Sequence, residues 1–372
     1  MSDATRIAAL EASSTDTAAF LDELRSTLAY HGSAIWAMRL AEMEQKTAPS
    51  LAMPILPRMV PSGADVSRAG LMGAGTRIQR GAAAYVTNQG TSTVAVITTA
   101  SNTVTATVTV GSAPYAVAVT PDGSCAYVTN YGGNTVSVIA TVSNTVVTTV
   151  TVGSAPHGVA VTPDGSYVYV ANYLGTVSVI DTWTQTVIAT VTVGTAPHIV
   201  AVTPNGSYVY VTNYGSNTVS VIRTSDNTVT ATVTVGTQPH GVAVTPSGSY
   251  VYVANDGSGT VSVIRTSDNT VVTTVTVGTA PRGVAVTPNG SYVYVANSGG
   301  NTVSVIRTSD NTVTATVTVG TQPHGVAVTP DGSYVYVANN GGTVSVIRTS
   351  DNTVVTTVTV GSTPYDVAIG TD

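Results

Sequence analysis

The chain has 372 residues, is 43% hydrophobic and only 9% charged, carries a formal net charge of −6 and holds a single cysteine. One cysteine excludes an internal disulfide framework, no Cys/His cluster has zinc-ligand spacing, and no run approaches the ~18 apolar residues of a membrane-spanning helix. The acidic balance, with Lys46 the only lysine, argues against a nucleic-acid partner held through its phosphates.

Residues 1–48 read as a helical hairpin. Thr15 or Asp16 can cap a helix with Phe20, Leu21, Leu24 and Leu28 on one face, ended by Gly32; Ser33 can cap a second with Trp36, Leu40 and Met43 at helical spacing. That apolar stripe packs within the hairpin, on the rest of the chain or on a partner. Residues 49–80, punctuated by Pro49, Pro54, Pro57 and Pro61, read as an extended linker. Met1 to Arg6 lacks a basic start followed by an apolar core, so no secretory signal is recognised, and the compartment stays open.

From Gly81 the composition changes. All six methionines, all four glutamates, Phe20 and eight of the nine leucines lie before it; residues 81–372 are written mainly in Val, Thr, Ser, Ala, Gly, Asn, Tyr and Pro and carry 5 arginines against 11 aspartates. A period of 41 or 42 residues governs this segment. Val-Gly-Ser/Thr-x-Pro recurs with its glycine at Gly111, Gly153, Gly194, Gly236, Gly278, Gly320 and Gly361. Tyr-Val-Thr/Ala-Asn ends in the same phase at Asn88, Asn130, Asn172, Asn213, Asn255, Asn297 and Asn339.

One period predicts four strands: Gly158 to Val161, a Thr162-Pro163-Asp164-Gly165 turn, Tyr167 to Val170, Thr176 to Ile180 and Thr186 to Val193. Four antiparallel strands repeated seven times predict an all-β fold, a seven-bladed β-propeller of four-stranded antiparallel blades over residues 81–372, preceded by the small α-helical segment. The first copy lacks the leading strand that the last copy, ending at Ile369, supplies; pairing of the N- and C-terminal strands should close the ring, which a β-helix would not need.

Tyr85-Val86-Thr87-Asn88, Tyr127-Val128-Thr129-Asn130 and Tyr210-Val211-Thr212-Asn213 resemble the signature of the YVTN-type β-propeller repeat family. That resemblance covers 81–372 and implies the propeller fold. The family is similar across archaeal surface-layer and bacterial secreted proteins, so it implies no single activity.

The residue after each repeat proline is the sharpest feature: Tyr115, His157, His198, His240, Arg282, His324 and Tyr365. This position begins the innermost strand, so the seven side chains should ring the channel mouth, beside the two variable connections of each blade. They would form a polar funnel for an anion or carboxylate, or a metal site of three successive imidazoles, or structural residues bonded to neighbouring carbonyls. No metal ligand set and no cofactor motif is assigned.

Tyr167, Tyr208, Tyr250, Tyr292 and Tyr334 share a face with Tyr169, Tyr210, Tyr252, Tyr294 and Tyr336 and should wedge between blades. Cys125 reads as a small buried hydrophobe. The uncharged Thr/Val outer strands leave self-association open.

No Gly-x-Ser-x-Gly, phosphate-binding loop or His-Glu-x-x-His is present, residues 81–372 hold no glutamate, and the blades are nearly interchangeable. The leading expectation is therefore a non-enzymatic interaction or surface-scaffold protein binding a protein partner through the variable loop face. The alternative is a small-ligand or metal-binding protein, or a lyase-like enzyme, with its site at the histidine-lined channel mouth.

Overall fold

The computed structural model describes residues 82–370. The expected helical hairpin and the linker lie outside them. Within them, twenty-eight strands form seven four-stranded antiparallel sheets arranged in sequence as blades one to seven. The inner strands begin at the repeat prolines and pack side by side in a closed circle, blade one against blades two and seven. The last strand, Pro364–Gly370, pairs antiparallel with the first, Ala83–Asn88, and completes blade one. Ring closure is thus strand pairing between residues almost 300 positions apart.

In blade three the strands are Pro156–Val161, Tyr167–Asn172, Thr176–Asp181 and Thr186–Thr192. The Thr162-Pro163-Asp164-Gly165 turn is closed by the Gly165 N–H on the Thr162 carbonyl at 2.8 Å, with Gly165 at φ 74°. Valines and isoleucines of the second and third strands are wholly buried and form the core between blades. The outer strands leave alternate threonines exposed.

The two tyrosine columns differ. Tyr169, Tyr210, Tyr252, Tyr294 and Tyr336 are fully buried, whereas Tyr208, Tyr250 and Tyr292 stand more than a third exposed. Each buried hydroxyl donates to an asparagine in the outer turn of the next blade: Tyr169 to Asn227 (2.7 Å), Tyr210 to Asn269 (2.8 Å) and Tyr252 to Asn311 (2.7 Å). Those asparagines sit at φ 54–56°, the left-handed region that asparagine tolerates, so one residue makes the turn and fastens the blades. Cys125 is buried, and burial pushes its thiol pKa up. The Arg223–Asp226 pair and its three copies are solvent-exposed and stabilise little. Among the described residues no helix is long and apolar enough to cross a membrane.

Candidate functional site at the channel mouth

The connection into each inner strand is bent sharply. The residue before each repeat proline, such as Ala113, Ala155, Ala196 or Gln238, has φ between 50 and 55°. This turns its carbonyl toward the variable loop of its own blade, where it accepts the N–H of Tyr131, Tyr173, Tyr214 or Asp256 at 2.9 to 3.0 Å. The repeat glycine is required one turn earlier: a Cβ on Gly153 would lie 2.5 Å from the Asn172 carboxamide. The variable loops are thereby held over the channel.

Two devices place the ring residues. In blades one, two and four the second strand carries a threonine. Thr87, Thr129 and Thr212 each accept the N–H of the residue after their own blade's ring residue (Asp366, Ala116 and Ile199, 2.9 to 3.0 Å). Each donates to the carbonyl of the next ring residue: Tyr115 (2.9 Å), His157 (2.5 Å) and His240 (2.7 Å). Blades three, five, six and seven have Ala171, Ala254, Ala296 and Ala338 there, and each pairs with a glycine: Gly158, Gly241, Gly283 and Gly325. The neighbouring inner strand lies where a Cβ would be: the His198 carbonyl oxygen is 2.6 Å from that point on Gly158, and the Arg282 and His324 carbonyls crowd Gly241 and Gly283. Backbone approach replaces the hydroxyl bridge.

The seven predicted residues do converge. Ring centroids are 4.2 Å apart for Tyr115–His157, 4.5 Å for His157–His198, 4.7 Å for His198–His240, 4.2 Å for His324–Tyr365 and 4.0 Å for Tyr365–Tyr115. The Tyr115 and Tyr365 hydroxyls are hydrogen-bonded, and the Tyr365 hydroxyl reaches across the channel to His240 Nε2 at 3.4 Å. The side chains fill the channel rather than line an open funnel. Nor do the imidazoles converge on one point; they pack against one another, and among the described residues no set of three or more His, Cys, Asp or Glu side chains is placed to hold a metal ion.

The structural reading of the histidines holds for one of them: His157 Nδ1 bonds the Ala155 carbonyl at 3.0 Å. Since a carbonyl only accepts, Nδ1 carries the proton and Nε2 is the free acceptor. Nδ1 of both His198 and His240 is buried without a partner. Arg282 donates from Nη1 to His324 Nε2 at 3.0 Å and from Nε to Asp256 Oδ2 at 3.1 Å. Burial lowers the pKa of His157 to about 4 and those of His198 and His324 to about 3, and drives His240 down as well, Arg282 adding to the effect on the last three. All four imidazoles are neutral at pH 7.

Sequence reasoning missed the residues that make this mouth lopsided. On one side Tyr173 stacks on His157 (4.9 Å, 23°) and Tyr214 on His198 (4.7 Å, 21°), while Tyr131 meets His157 edge-on. With Gln89 and Tyr115 they enclose a depression of about 440 Å³. On the other side the same loop position holds Asp256, Ser298 and Asn340, and Asp256 pairs with Arg282. A second cavity, about 80 Å³, lies in the channel beneath the ring and includes Asp366. Both Asp256 and Asp366 were legible as the only acids in their repeat columns.

No curated protein matches this chain. Among solved structures it is similar to Kuenenia stuttgartiensis hydrazine synthase (24% identity, 76% of this chain and 99% of the other, TM-score 0.67). It is also similar to a functionally unknown protein from Desulfotomaculum acetoxidans (20%, 77% and 98%, TM-score 0.70). A third is a candidate 6-phosphogluconolactonase from Bacteroides uniformis (19%, 78% and 100%, TM-score 0.68). These likenesses show the fold. The model of the family described as Lactonase, 7-bladed beta-propeller matches residues 140–363, and it corrects the expectation of a non-enzymatic interaction or surface-scaffold protein. That expectation rested on near-interchangeable blades, whereas the mouth has an aromatic half and a charged half. The match takes in more than half of the sequence, and the chain belongs to the family of seven-bladed lactonase propellers.

Proposed function

We propose that the channel mouth is a hydrolytic site for small lactones. The observation that carries this reading is Arg282, held in place by Asp256 and His324 at the edge of a ring whose imidazoles are all neutral. Hydrolysis of a lactone places negative charge on the carbonyl oxygen, and a guanidinium fixed in advance stabilises that charge without reorganising. The aromatic depression is of the size small-ligand sites have, ~300–1,000 Å³. Tyr131, Tyr173 and Tyr214 would take the apolar face of the ring. Family membership supports the reaction class. The name of the Bacteroides neighbour makes phosphorylated sugar lactones the first substrates to try. The likeness of the blades to YVTN-type repeats is a reading of their sequence that goes with this proposal and adds nothing to its chemistry.

The test is hydrolysis of a panel of five- and six-membered lactones, with and without a carboxylate or phosphate, followed by acid release. Wild-type protein should turn over at least one of them, and Arg282→Gln, folded by circular dichroism, should lose roughly 10²- to 10³-fold in kcat. Absence of turnover above the spontaneous rate across the panel, or an Arg282→Gln variant as fast as wild type, would overturn the reading.

A further inference from the structure

Beneath the ring the channel holds a space of about 80 Å³, room for a few water molecules at ~30 Å³ each. Its wall includes His240, Arg282, His324, Tyr365 and one carboxylate, Asp366. The other six blades have glycine, alanine or isoleucine at the Asp366 position, and nothing in the repeat calls for an acid there. The carboxylate is seated by the chain: Oδ2 accepts the Val117 N–H at 3.1 Å, and a side chain on Gly325 would collide with Asp366 Oδ1. Among the described residues it has no ion-pair partner, since Arg282 is taken by Asp256.

We propose that Asp366 is the general base of the lactone-hydrolysing site, acting on water held in this inner space; the proposal rests on the reading above. Arg282 and Asp366 line the same inner space. Contacts run from Arg282 through His324, Tyr365, Tyr115, His157 and His198 to His240, but no hydrogen bond or ring contact joins His240 to Arg282. Water in that inner space lies beside the guanidinium. Its oxygen bonds to the lactone carbonyl carbon while Asp366 takes its proton, and Arg282 steadies the oxyanion. Collapse breaks the ring carbon–oxygen bond, and the proton passes from Asp366 to the departing alkoxide. The product is the hydroxy acid and Asp366 is again ionised. Burial places the Asp366 pKa at about 6, near neutrality where a base works best, while the buried imidazoles are far weaker bases. The titratable and charged groups around it are Tyr115, His240, Arg282, His324 and Tyr365, and burial keeps both imidazoles neutral at pH 7.

The experiment compares pH profiles of kcat and kcat/KM for wild type, Asp366→Asn, and Asp366→Gly combined with Thr87→Ala, which copies the glycine and alanine pairing of blade seven and so keeps a fold-compatible alternative. Both variants should lose at least ~10²-fold in kcat with KM changed only a few-fold, and the wild-type limb rising through about pH 6 should vanish from the residual activity. If wild type hydrolyses lactones and a folded variant keeps its kcat or its limb at pH 6, Asp366 is not the base and the lactonase reading survives. If wild type hydrolyses none, both fall together.

Discussion

The two ways of fastening neighbouring blades predict a compensating pair of substitutions. In blade three, Gly158→Ala puts a methyl carbon 2.6 Å from the His198 carbonyl oxygen and from Ile199 Cα, and 3.0 Å from Val200 N. Ordinary contact begins near 3.4 Å, so two inner strands must part by most of an ångström in a closed circle that cannot widen at one point alone. Overpacking of this kind costs roughly 2–3 kcal/mol, and the parted His198 carbonyl loses its close backbone neighbour. Ala171→Thr by itself crowds a fully buried position and should cost roughly 1–2 kcal/mol. Together they recreate the alanine and threonine of blade two, where Thr129 accepts the Ala116 N–H and donates to the His157 carbonyl. The hydroxyl then satisfies groups that the alanine pushed apart, at about 1 kcal/mol per bond. Urea unfolding of wild type, both single variants and the double variant gives the coupling. It should be favourable by at least ~1 kcal/mol, with the double variant more stable than Gly158→Ala. Additive single costs would refute the idea that threonine and glycine are alternative latches.

The buried histidines set a pH dependence. A histidine of pKa 6.5 in the unfolded chain and about 4 when folded leaves stability intact above pH 6.5 and removes it as pH falls toward 4, because the unfolded chain binds the extra proton. At about 1.4 kcal/mol per pH unit between the two values, His157→Gln should reduce the loss of unfolding free energy between pH 7 and pH 4 by roughly 3 kcal/mol. Asp366 works in the opposite sense below pH 6, equally in both proteins. Urea titrations at the two pH values check this, and an unchanged difference would contradict it. Tyr252→Phe removes the bond to Asn311 and should cost about 1 kcal/mol. Asn311→Gly should cost about the same, since it keeps the turn at φ 56°, and Asn311→Ala more, since alanine is strained there. Thermal melts that rank alanine above glycine would count against the double role of the asparagine.

Seven blades, their four strands and the closing exchange were legible in the sequence because each follows from a local pattern: a two-residue alternation, a Pro-Asp-Gly turn, and a period too regular to mistake. The seven channel-mouth residues were legible for the same reason, as they occupy one column of the repeat. The mouth itself was not. Its chemistry depends on which column faces which across a blade boundary: Tyr131 against His157, Asp256 against Arg282, Asp366 beside Gly325. A repeat aligned on itself displays each column alone and makes the blades look interchangeable. The switch between Tyr-Val-Thr-Asn and Tyr-Val-Ala-Asn was plain in the chain, but the close backbone approach that requires the paired glycine is a contact between inner strands of adjacent blades. Local sequence determined the blades, since strand and turn propensities act within a few residues. Only the closed ring decided which side chains are buried together, and burial is what left the imidazoles neutral and one aspartate poised to titrate near pH 6.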